Sequence, residues 1–439
     1  MPAGTPDVPV AIVGAGACGL TAAIFLRDTG IDCALLERDA RAQGSTALSS
    51  GFVPAAGTRV QRAAGVDDSA ERFAADIQAK AKGTAARHLV TAYTEAAAPA
   101  LDALAERHGL QFELLEGFLY PGHSVPRMHT LREHTGAALI AALDAAAARA
   151  GAMLATNALV RELWCDASGR LLGVGYERPD GAREHLACRV LLLACNGFGG
   201  NPDMVREWLP AMRDAVFAGH VGNDGAAIAW GRQLGARLAD LGGYQGHGSW
   251  AVPQGALITW ALMVEGGIQV NAAGRRFHDE TQGYSEAAVD VLMQPGAVAW
   301  DVIDARLLRL ARTFPDFVAA EAAGAVRPAA DAPALAALIG CAPDVLAATL
   351  AGNALAPPYY AIRVTGALFH TQGGLDIDAQ CRVLKTDGTP FSNLLAAGGA
   401  ARGVSGNAVW GYLSGNGLLS AVAGGSIAAR TAASQVRST

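Results

Sequence analysis

Three glycines and one acid near the N-terminus have the types and the spacing of a dinucleotide-binding site. Residues 9–37 read PVAIVGAGACGLTAAIFLRDTGIDCALLE, with a GxGxxG pattern at Gly14, Gly16 and Gly19. Gly14 permits a tight turn, Gly16 lets the backbone approach a pyrophosphate, and Gly19 allows close packing of the next helix. The N–H groups at the start of that helix attract phosphate, and the Glu37 carboxylate can accept hydrogen bonds from ribose hydroxyls. The segment therefore predicts a site for the ADP half of a dinucleotide.

The elements that must hold these groups are predicted from the apolar pattern of the same segment. The apolar run before Gly14 predicts a strand, the residues after Gly16 predict a helix, and CALL before Glu37 predicts a second strand. The order of strand, glycine turn, helix, strand and acid is that of a Rossmann-like α/β unit. A glycine-rich turn in an unrelated α/β domain is the alternative interpretation.

Composition favours a globular enzyme with more than one domain. The chain has 439 residues, 51% of them hydrophobic and 17% charged, and so exceeds one domain of about 150 residues. It has no apolar run near the ~20 residues that cross a bilayer and no basic segment typical of a signal peptide. The net charge of −6 comes without a basic stripe, which argues against nucleic acid as a partner. We expect a soluble, cytoplasmic enzyme.

The seven cysteines show no spacing that would bind a metal or a haem. No CxxC, CxxH or CxxCH pattern occurs, and the odd number favours reduced thiols over a disulfide framework. Cys18, Cys195 and Cys341 have no base or metal partner in the pattern, so we interpret them as small core residues. The sequence therefore predicts no metal site.

Changes in amino-acid composition and residue pattern divide the chain into three predicted segments. Residues 1–240 contain the glycine motif and a buried apolar strand, RVLLLACNGFGG, which is typical of a parallel sheet. Residues 241–358 are rich in aromatic residues and histidine and then in alanine helices with proline breaks. Residues 359–439 return to strands and end in an apolar helix. We predict a discontinuous α/β domain formed by 1–240 and 359–439, with 241–358 inserted as a second domain.

Several longer motifs resemble one flavoprotein superfamily. These are GSTALSSGFVPAAGTR from residue 44, GHSVPRMH from residue 122, GGIQVNAAGRRFHDE from residue 266, and GALFHTQGGLDID from residue 366. Together they resemble the fumarate reductase, succinate dehydrogenase and 3-ketosteroid dehydrogenase flavoproteins. The resemblance implies a Rossmann-like FAD-binding domain of the glutathione reductase type, with an inserted α+β capping domain that closes over the flavin.

The same resemblance implies FAD as the cofactor and assigns its contacts. The helix that opens at residues 414–417 would stabilise the negative charge of reduced flavin near N1 and C2=O. Gly399 replaces the glutamate of the family pattern AAGE, and residues 44–52 contain no histidine for covalent attachment, so we expect non-covalent FAD. The predicted cofactor-binding residues are Gly14, Gly16, Ala17, Gly19, Glu37, Arg38, Gly44, Ser45, Thr46, Ser49, Gly51, Phe52, Val160, Ala194, Asn196, Gly197, Asn223, Asp224, Gly374, Gly398, Gly399, Gly415, Asn416, Gly417 and Leu418.

Departures from the fumarate reductase pattern point to a different substrate. Against that pattern Trp260 takes the place of a glutamate, and Tyr284 takes the place of the proton-donating arginine. The arginine that clamps a substrate carboxylate is also absent from GNAVWGYLSGNG. Loss of two arginines removes the bidentate anion recognition that a dicarboxylate needs. A neutral or weakly polar substrate is therefore favoured.

The replacements resemble the ketosteroid dehydrogenase branch, in which two tyrosines act on a ketone. By that resemblance Tyr284 transfers a proton, while Tyr412 and the N–H of Gly417 or Gly415 bind the substrate carbonyl. Two donors aimed at a carbonyl oxygen would stabilise the charge that develops there. A phenol with a pKa of about 10 is a poor base at neutral pH, so dehydrogenation requires a lowered pKa and reduction does not. The sequence leaves the direction open, and either tyrosine could instead be a packed ring with a bonded hydroxyl.

Other polar residues have weaker functional interpretations. His370 matches a histidine that binds a substrate carboxylate in fumarate reductases, and without arginine partners it could orient a carbonyl or support its loop. His123, Arg127 and His129 could line the pocket or hold their own loop through backbone carbonyls. Further residues could form the pocket wall or simply pack in the core, namely His247, Trp250 and Trp260.

We predict an FAD-dependent oxidoreductase that adds or removes hydrogens across a C–C bond next to a carbonyl, on a weakly charged, cyclic ketone or enone. One alternative keeps the fold with an unsaturated carboxylic acid as substrate. Another is a flavin electron-transfer subunit without an organic substrate. The electron partner is unknown, and direct reduction by NADH is not supported because no second GxGxxG occurs.

Overall fold

The computed structural model describes Pro2 and residues 4–438. Its β-strands, in chain order, are β1 (Asp7–Val13), β2 (Cys33–Leu36), β3 (Val53–Pro54), β4 (Glu113–Leu114), β5 (Met128–Thr130), β6 (Met153–Ala155), β7 (Leu159–Cys165), β8 (Leu171–Glu177), β9 (Arg183–Leu193), β10 (Val216–Phe217), β11 (Leu238–Ala239), β12 (Tyr244–Ala251), β13 (Ala256–Leu257), β14 (Ile268–Val270), β15 (Ala299–Asp304), β16 (Val326–Ala329), β17 (Tyr359–Thr371), β18 (Gly374–Leu375), β19 (Arg382–Leu384) and β20 (Pro390–Ala396).

The α-helices are α1 (Ala17–Asp28), α2 (Gly44–Ala47), α3 (Arg59–Ala63), α4 (Ala70–Lys80), α5 (Arg87–His108), α6 (Gly136–Arg149), α7 (Pro202–Trp208), α8 (Ala226–Leu234), α9 (Ala261–Val264), α10 (Tyr284–Leu292), α11 (Ala305–Ala311), α12 (Pro315–Ala322), α13 (Ala332–Ile339), α14 (Pro343–Ala351) and α15 (Asn416–Ser438). Short 3₁₀ turns occur at Pro210–Met212, Pro295–Ala297, Gly398–Ala400 and Val409–Gly411.

The first sheet carries the predicted nucleotide-binding unit. Its strand order is β19-β20-β9-β1-β2-β6, and β1 is parallel to β2 and β9. Residues 10–13 of β1, all of β2 and residues 190–193 of β9 are apolar and buried, as is typical of the inner strands of a parallel sheet. The antiparallel pair β7–β8 joins this sheet through β9. Helices α1, α5, α6 and α15 pack around it, which gives the predicted Rossmann-like architecture.

Backbone contact at the β1–α1 turn requires glycine. Gly14 has φ +102°, and a Cβ there would lie 2.6 Å from the carbonyl oxygen of Ala194 on the neighbouring strand. A Cβ on Gly19 would lie 2.0 Å from the carbonyl oxygen of Gly14. The turn and the helix therefore close on each other only without side chains at these positions.

The second sheet has the order β13-β12-β17-β15-β14, and β10 and β16 also pair with β17. Most of its strands come from the predicted insertion, but its central strand β17 begins one residue after the predicted boundary at 358. We propose that the chain returns to the first domain only after Thr371, because β17 pairs with the inserted strands along its whole length.

Two large cores match the two sheets. One packs the first sheet against α1, α5 and α15, and the other packs the second sheet against α9 to α14. Tyr412 comes from the segment between β20 and α15, yet its ring is buried in the second core beside Tyr284. This tyrosine therefore links the two units. Among the residues that the structure describes, no helix is long and apolar enough to cross a bilayer.

Candidate active site

One cavity of about 530 Å³ extends from the glycine turn to the two tyrosines. It is lined by the glycine turn, by residues 44–52, by the first turn of α15 and by residues of the second sheet. Four of the predicted cofactor residues lie outside its lining, namely Gly19, Gly197, Gly374 and Asn416. These four have structural contacts: Gly19 packs on Gly14, Gly197 on Thr371 and Gly374 on Ala400, while the Asn416 amide donates to Ser405. The other predicted cofactor residues line the cavity together.

The glycine-turn end of the cavity is held by side-chain bonds to backbone N–H groups. Glu37 is buried and accepts from the N–H of Ala15 at 2.8 Å and from that of Asp39 at 3.0 Å. Thr46 accepts from the N–H of Ala17, the first residue of α1, at 3.0 Å. Burial raises the pKa of the Glu37 carboxyl, and the two N–H bonds oppose that rise. The acid is thus fixed beside the turn.

A serine joins two asparagines further along the same wall. Ser45 Oγ accepts from the Nδ2 of Asn196 at 3.0 Å and from the Nδ2 of Asn223 at 2.8 Å. Arg38 donates to the carbonyl oxygen of Gly222 at 2.9 Å and to the Asp224 carboxylate at 3.1 Å. These contacts bring the segments after β2, β9 and β10 to one edge of the first sheet.

The residues present fit FAD. The buried hydroxyl of Ser420 lines the cavity and has no hydrogen-bond partner among the described residues. A Cβ on Gly16 would meet only Thr46 Oγ1, at 3.6 Å, so a ligand can approach its backbone closely. Gly415, Gly417 and Leu418 bring the N-terminal turn of α15 to the cavity. A helix N-terminus favours the negative charge that reduced flavin carries.

The two tyrosines meet where the second core reaches the cavity. Tyr284, the first residue of α10, donates a hydrogen bond from its hydroxyl to Ser414 Oγ at 2.8 Å. Its ring lies with centroid 6.2 Å from that of Tyr412, edge to face. The ring of His247 stacks on Tyr284 with centroids 4.8 Å apart and planes 19° apart. Tyr284, Tyr412 and Ser414 all line the cavity.

Both phenols are protonated at neutral pH. Burial raises the pKa of Tyr284 well above its ordinary value, with the nearby Tyr412 as the second cause, and the bond to Ser414 opposes them. Burial also raises the pKa of Tyr412, although the N–H groups of Gly417 and Gly415 oppose that rise. The lowered pKa that a phenolic base needs is absent from both residues.

The histidines at this end of the cavity are neutral. Burial lowers the pKa of His247 to about 3 and that of His370 to about 4. The Nδ1 of His247 accepts from the backbone N–H of Ser249 at 3.1 Å, so its proton lies on Nε2. His370 packs against Gly417, where a Cβ would lie 2.8 Å from its ring.

Comparison with known proteins places the chain in a family. The FAD-binding domain family matches residues 9–418. The chain belongs to this family. It is an FAD-dependent oxidoreductase, as the sequence predicts, and FAD as the cofactor is confirmed.

This oxidoreductase is similar to several named proteins. It is 28% identical to the probable fumarate reductase Ifc3 of Shewanella frigidimarina, over 97% of this chain and 74% of that relative. A solved flavocytochrome c3 fumarate reductase in its open conformation matches with a TM-score of 0.84 at 25% identity, over 99% of this chain and 79% of that one. The solved structure of the 3-ketosteroid-Δ4-(5α)-dehydrogenase of Rhodococcus jostii RHA1 matches with a TM-score of 0.78 at 25% identity, over 98% of this chain and 97% of that one. The predicted superfamily and fold class are confirmed.

The loop at residues 122–129 lies behind the oxidoreductase's tyrosine pair and outside the cavity lining. His123 donates from Nε2 to the carbonyl oxygen of Ser414 at 3.0 Å, and its Nδ1 accepts from Arg127 at 3.2 Å. Arg127 is fully buried and forms a bidentate pair with Asp68 at 3.0 and 3.1 Å as well as a bond to Asp76. We therefore propose that His123 and Arg127 position the Ser414 backbone and do not form the pocket wall.

Three other residues that the sequence predicts for the pocket or its loop have defined contacts in the structure. His129 is buried and bonds Thr58 Oγ1 at 2.7 Å. Trp250 lies outside the lining, edge-on to Phe369. Trp260 lines the cavity and donates to the carbonyl oxygen of Glu280 at 3.2 Å.

Sequence reasoning missed Tyr120, Thr259 and Asp316, which also line the cavity, and it placed Ser414 only at the start of the last helix, without a bond to Tyr284. Tyr120 packs edge-on against Tyr284 with centroids 6.2 Å apart. A serine two residues after a tyrosine carries no spacing signal, and the others come from segments distant in sequence. Burial raises the pKa of the Cys18 and Cys195 thiols, which line the cofactor end, and so keeps them un-ionised.

Proposed function

We propose that this protein is an oxidoreductase of the CH–CH class that reduces a C=C bond conjugated to a ketone, on a weakly charged, cyclic substrate. The observation that carries the proposal is the pair of protonated phenols at an end of the cavity where no arginine or lysine is found among the described lining residues. The cavity arginines, Arg38 and Arg161, lie near the predicted dinucleotide contacts Asp224 and Val160. When bound and reduced by an electron donor, FAD would supply the hydride that adds to the β-carbon.

Tyr412 is suited to hold the substrate carbonyl. Burial raises the pKa of Tyr412, and the backbone N–H groups of Gly417 and Gly415 act in the opposite sense by favouring its ionised form. Such donors make the phenol a stronger hydrogen-bond donor toward a carbonyl oxygen, where negative charge develops during addition at the β-carbon. The buried site makes this stabilisation stronger than it would be in water.

Tyr284 and Ser414 are suited to deliver the proton. Because Tyr284 donates to Ser414 Oγ, the serine's own hydroxyl proton is free to point elsewhere, and Ser414 lines the cavity. Ser414 can therefore protonate the α-carbon while Tyr284 replaces the proton that it loses. Because its pKa is raised, Tyr284 holds its proton at neutral pH and is not ready to abstract one, which is why we favour reduction as the direction.

Turnover by the FAD-loaded protein tests this proposal. With dithionite-reduced methyl viologen as the electron donor, we expect a cyclic enone to be reduced faster than fumarate. Tyr284→Phe should lower kcat by about 10²- to 10⁴-fold, the usual contribution of a general acid. Tyr360→Phe, a partly buried ring packed on the same core but outside the cavity lining, is the matched control and should retain activity.

Two results would overturn the proposal. Faster turnover of fumarate than of any enone would favour an unsaturated acid as substrate, in line with the fumarate reductase relative. Normal flavin reduction without turnover of any small molecule, in both wild type and Tyr284→Phe, would favour an electron-transfer subunit.

A further inference from the structure

The tyrosine end of the cavity carries a single formal charge among the described lining residues, the carboxylate of Asp316. The other charged lining residues, Glu37, Arg38, Arg161 and Asp224, lie at the dinucleotide end. Both histidines near the tyrosines, His247 and His370, are neutral. Within the part of the chain that the structure describes, a substrate bound there meets one acid and no cation.

Asp316 follows Phe314, which is joined to the tyrosine pair by ring contacts. The Phe314 ring centroid lies 5.7 Å from that of Phe118, which lies 5.0 Å from that of Tyr120. The charge of Asp316 contributes to the raised pKa of Tyr120, whose ring packs against Tyr284 with centroids 6.2 Å apart. Within the described residues, the Asp316 carboxylate accepts one hydrogen bond. Its donor is Ser50 Oγ, and the distance to Asp316 Oδ2 is long, at 3.4 Å. An ionised carboxylate can accept about four hydrogen bonds. Asp316 therefore has accepting capacity left over on the cavity wall.

A purely structural role for Asp316 is to begin a helix. α12 opens with Pro315 and Asp316, and an acid in the first turn is favoured by the helix dipole. The chain uses the same Pro–Asp start at α7, with Asp203, and at α14, with Asp344. Those two acids are exposed and lie outside the cavity, whereas Asp316 is half-buried and lines it. Helix initiation alone does not require an acid that faces the cavity.

We propose that Asp316 accepts a hydrogen bond from a donor on the substrate, a hydroxyl or a protonated amine, at a position remote from the reacting carbonyl. The same carboxylate repels substrates that carry a carboxylate near that position. This inference rests on the proposed function, because it places the carbonyl at Tyr412. It narrows the substrate class to ring enones with a distal hydrogen-bond donor.

Four matched compounds test this inference: a bicyclic enone with a hydroxyl group on the ring distal to the carbonyl, and its deoxy, amino and carboxylate analogues. The holoenzyme is assayed for reduction, and each Kd is measured from the change in flavin absorption. We expect the hydroxyl and amino compounds to bind about ten- to hundredfold more tightly than the deoxy compound, as a hydrogen bond to a charged acceptor allows, and the carboxylate compound to bind weakest. The ratio of the Kd values of the amino and hydroxyl compounds shows which donor the site prefers.

Asp316→Leu should abolish the preference for a donor, so that the hydroxyl and deoxy compounds have equal KM values, and any change in kcat should be the same for both compounds. Asp344→Leu is the matched control and should keep the wild-type order. Equal affinities of wild type for the hydroxyl and deoxy compounds, or an unchanged order in Asp316→Leu, would overturn the inference even if all compounds are reduced. Binding in the expected order without reduction would instead reject the proposed reaction and leave the role of Asp316 standing.

Discussion

Lys80 and Glu286 connect the two units of the protein directly behind Tyr284. Lys80, the last residue of α4, pairs with the Glu286 carboxylate and donates to the carbonyl oxygen of Gln282 at 2.8 Å. Their side chains are only 12% and 15% exposed, and Glu286 Oε2 has no hydrogen-bond partner among the described residues. Glu286 lies in the first turn of α10, which Tyr284 begins. The pair therefore fixes the helix that carries the proposed proton donor.

Lys80→Met should destabilise the protein by about 2–4 kcal/mol, because removing one partner leaves the other charge buried without compensation. Burial raises the pKa of Glu286 and Lys80 lowers it, so the variant should raise that pKa further. An acid whose pKa is raised by folding binds its proton more tightly in the folded state, so its unfavourable contribution grows as pH rises above the unfolded value. The loss should therefore be larger at pH 8 than at pH 5.

Urea denaturation of the holoenzyme at both pH values, followed by tryptophan fluorescence, measures this loss. Lys385→Met is the matched control, since Lys385 lies over the Phe391 ring in the first domain and forms no ion pair within the described residues. Glu286→Gln in the Lys80→Met background should recover stability, because it removes the unpaired charge. A loss below about 0.5 kcal/mol, equal at the two pH values, would refute the reasoning.

Two other predictions follow from the site. The kcat for enone reduction should not change between pH 6 and 8. His247 and His370, with pKa values of about 3 and 4, are already neutral in this range, and both phenols are protonated. A pH–rate profile with a step near pH 6.5 would contradict this prediction. Unfolding in guanidinium chloride should release all the flavin, because residues 44–52 contain no histidine for covalent attachment. The released flavin should pass through a filter that retains the protein. Yellow colour that stays with the unfolded chain would show a covalent bond.

Much of the cofactor end could be predicted from the sequence because its signals are local. The glycines of the β1–α1 turn and the acid after β2 lie within one strand–helix–strand unit, so their spacing along the chain fixes their spacing in space. The tight approaches at Gly14 and Gly19 leave few other residue types possible. The fold class followed from the same unit and from motifs spread along the chain.

The substrate end depended on tertiary structure. Tyr284 and Ser414 are 130 residues apart, and no periodicity relates them; they meet because β17 joins the second sheet and the chain then returns to α15. Arg127 has the residue type of a substrate clamp, but the fold buries it between Asp68 and Asp76, which neutralise it. Asp316 shares its Pro–Asp start with two other helices whose acids are exposed, and only its position on the cavity wall distinguishes it from those acids. The sequence by itself thus determined which cofactor the chain binds, whereas packing decided which polar groups line the tyrosine end of the cavity, because desolvation and partner choice depend on neighbours brought from elsewhere in the chain.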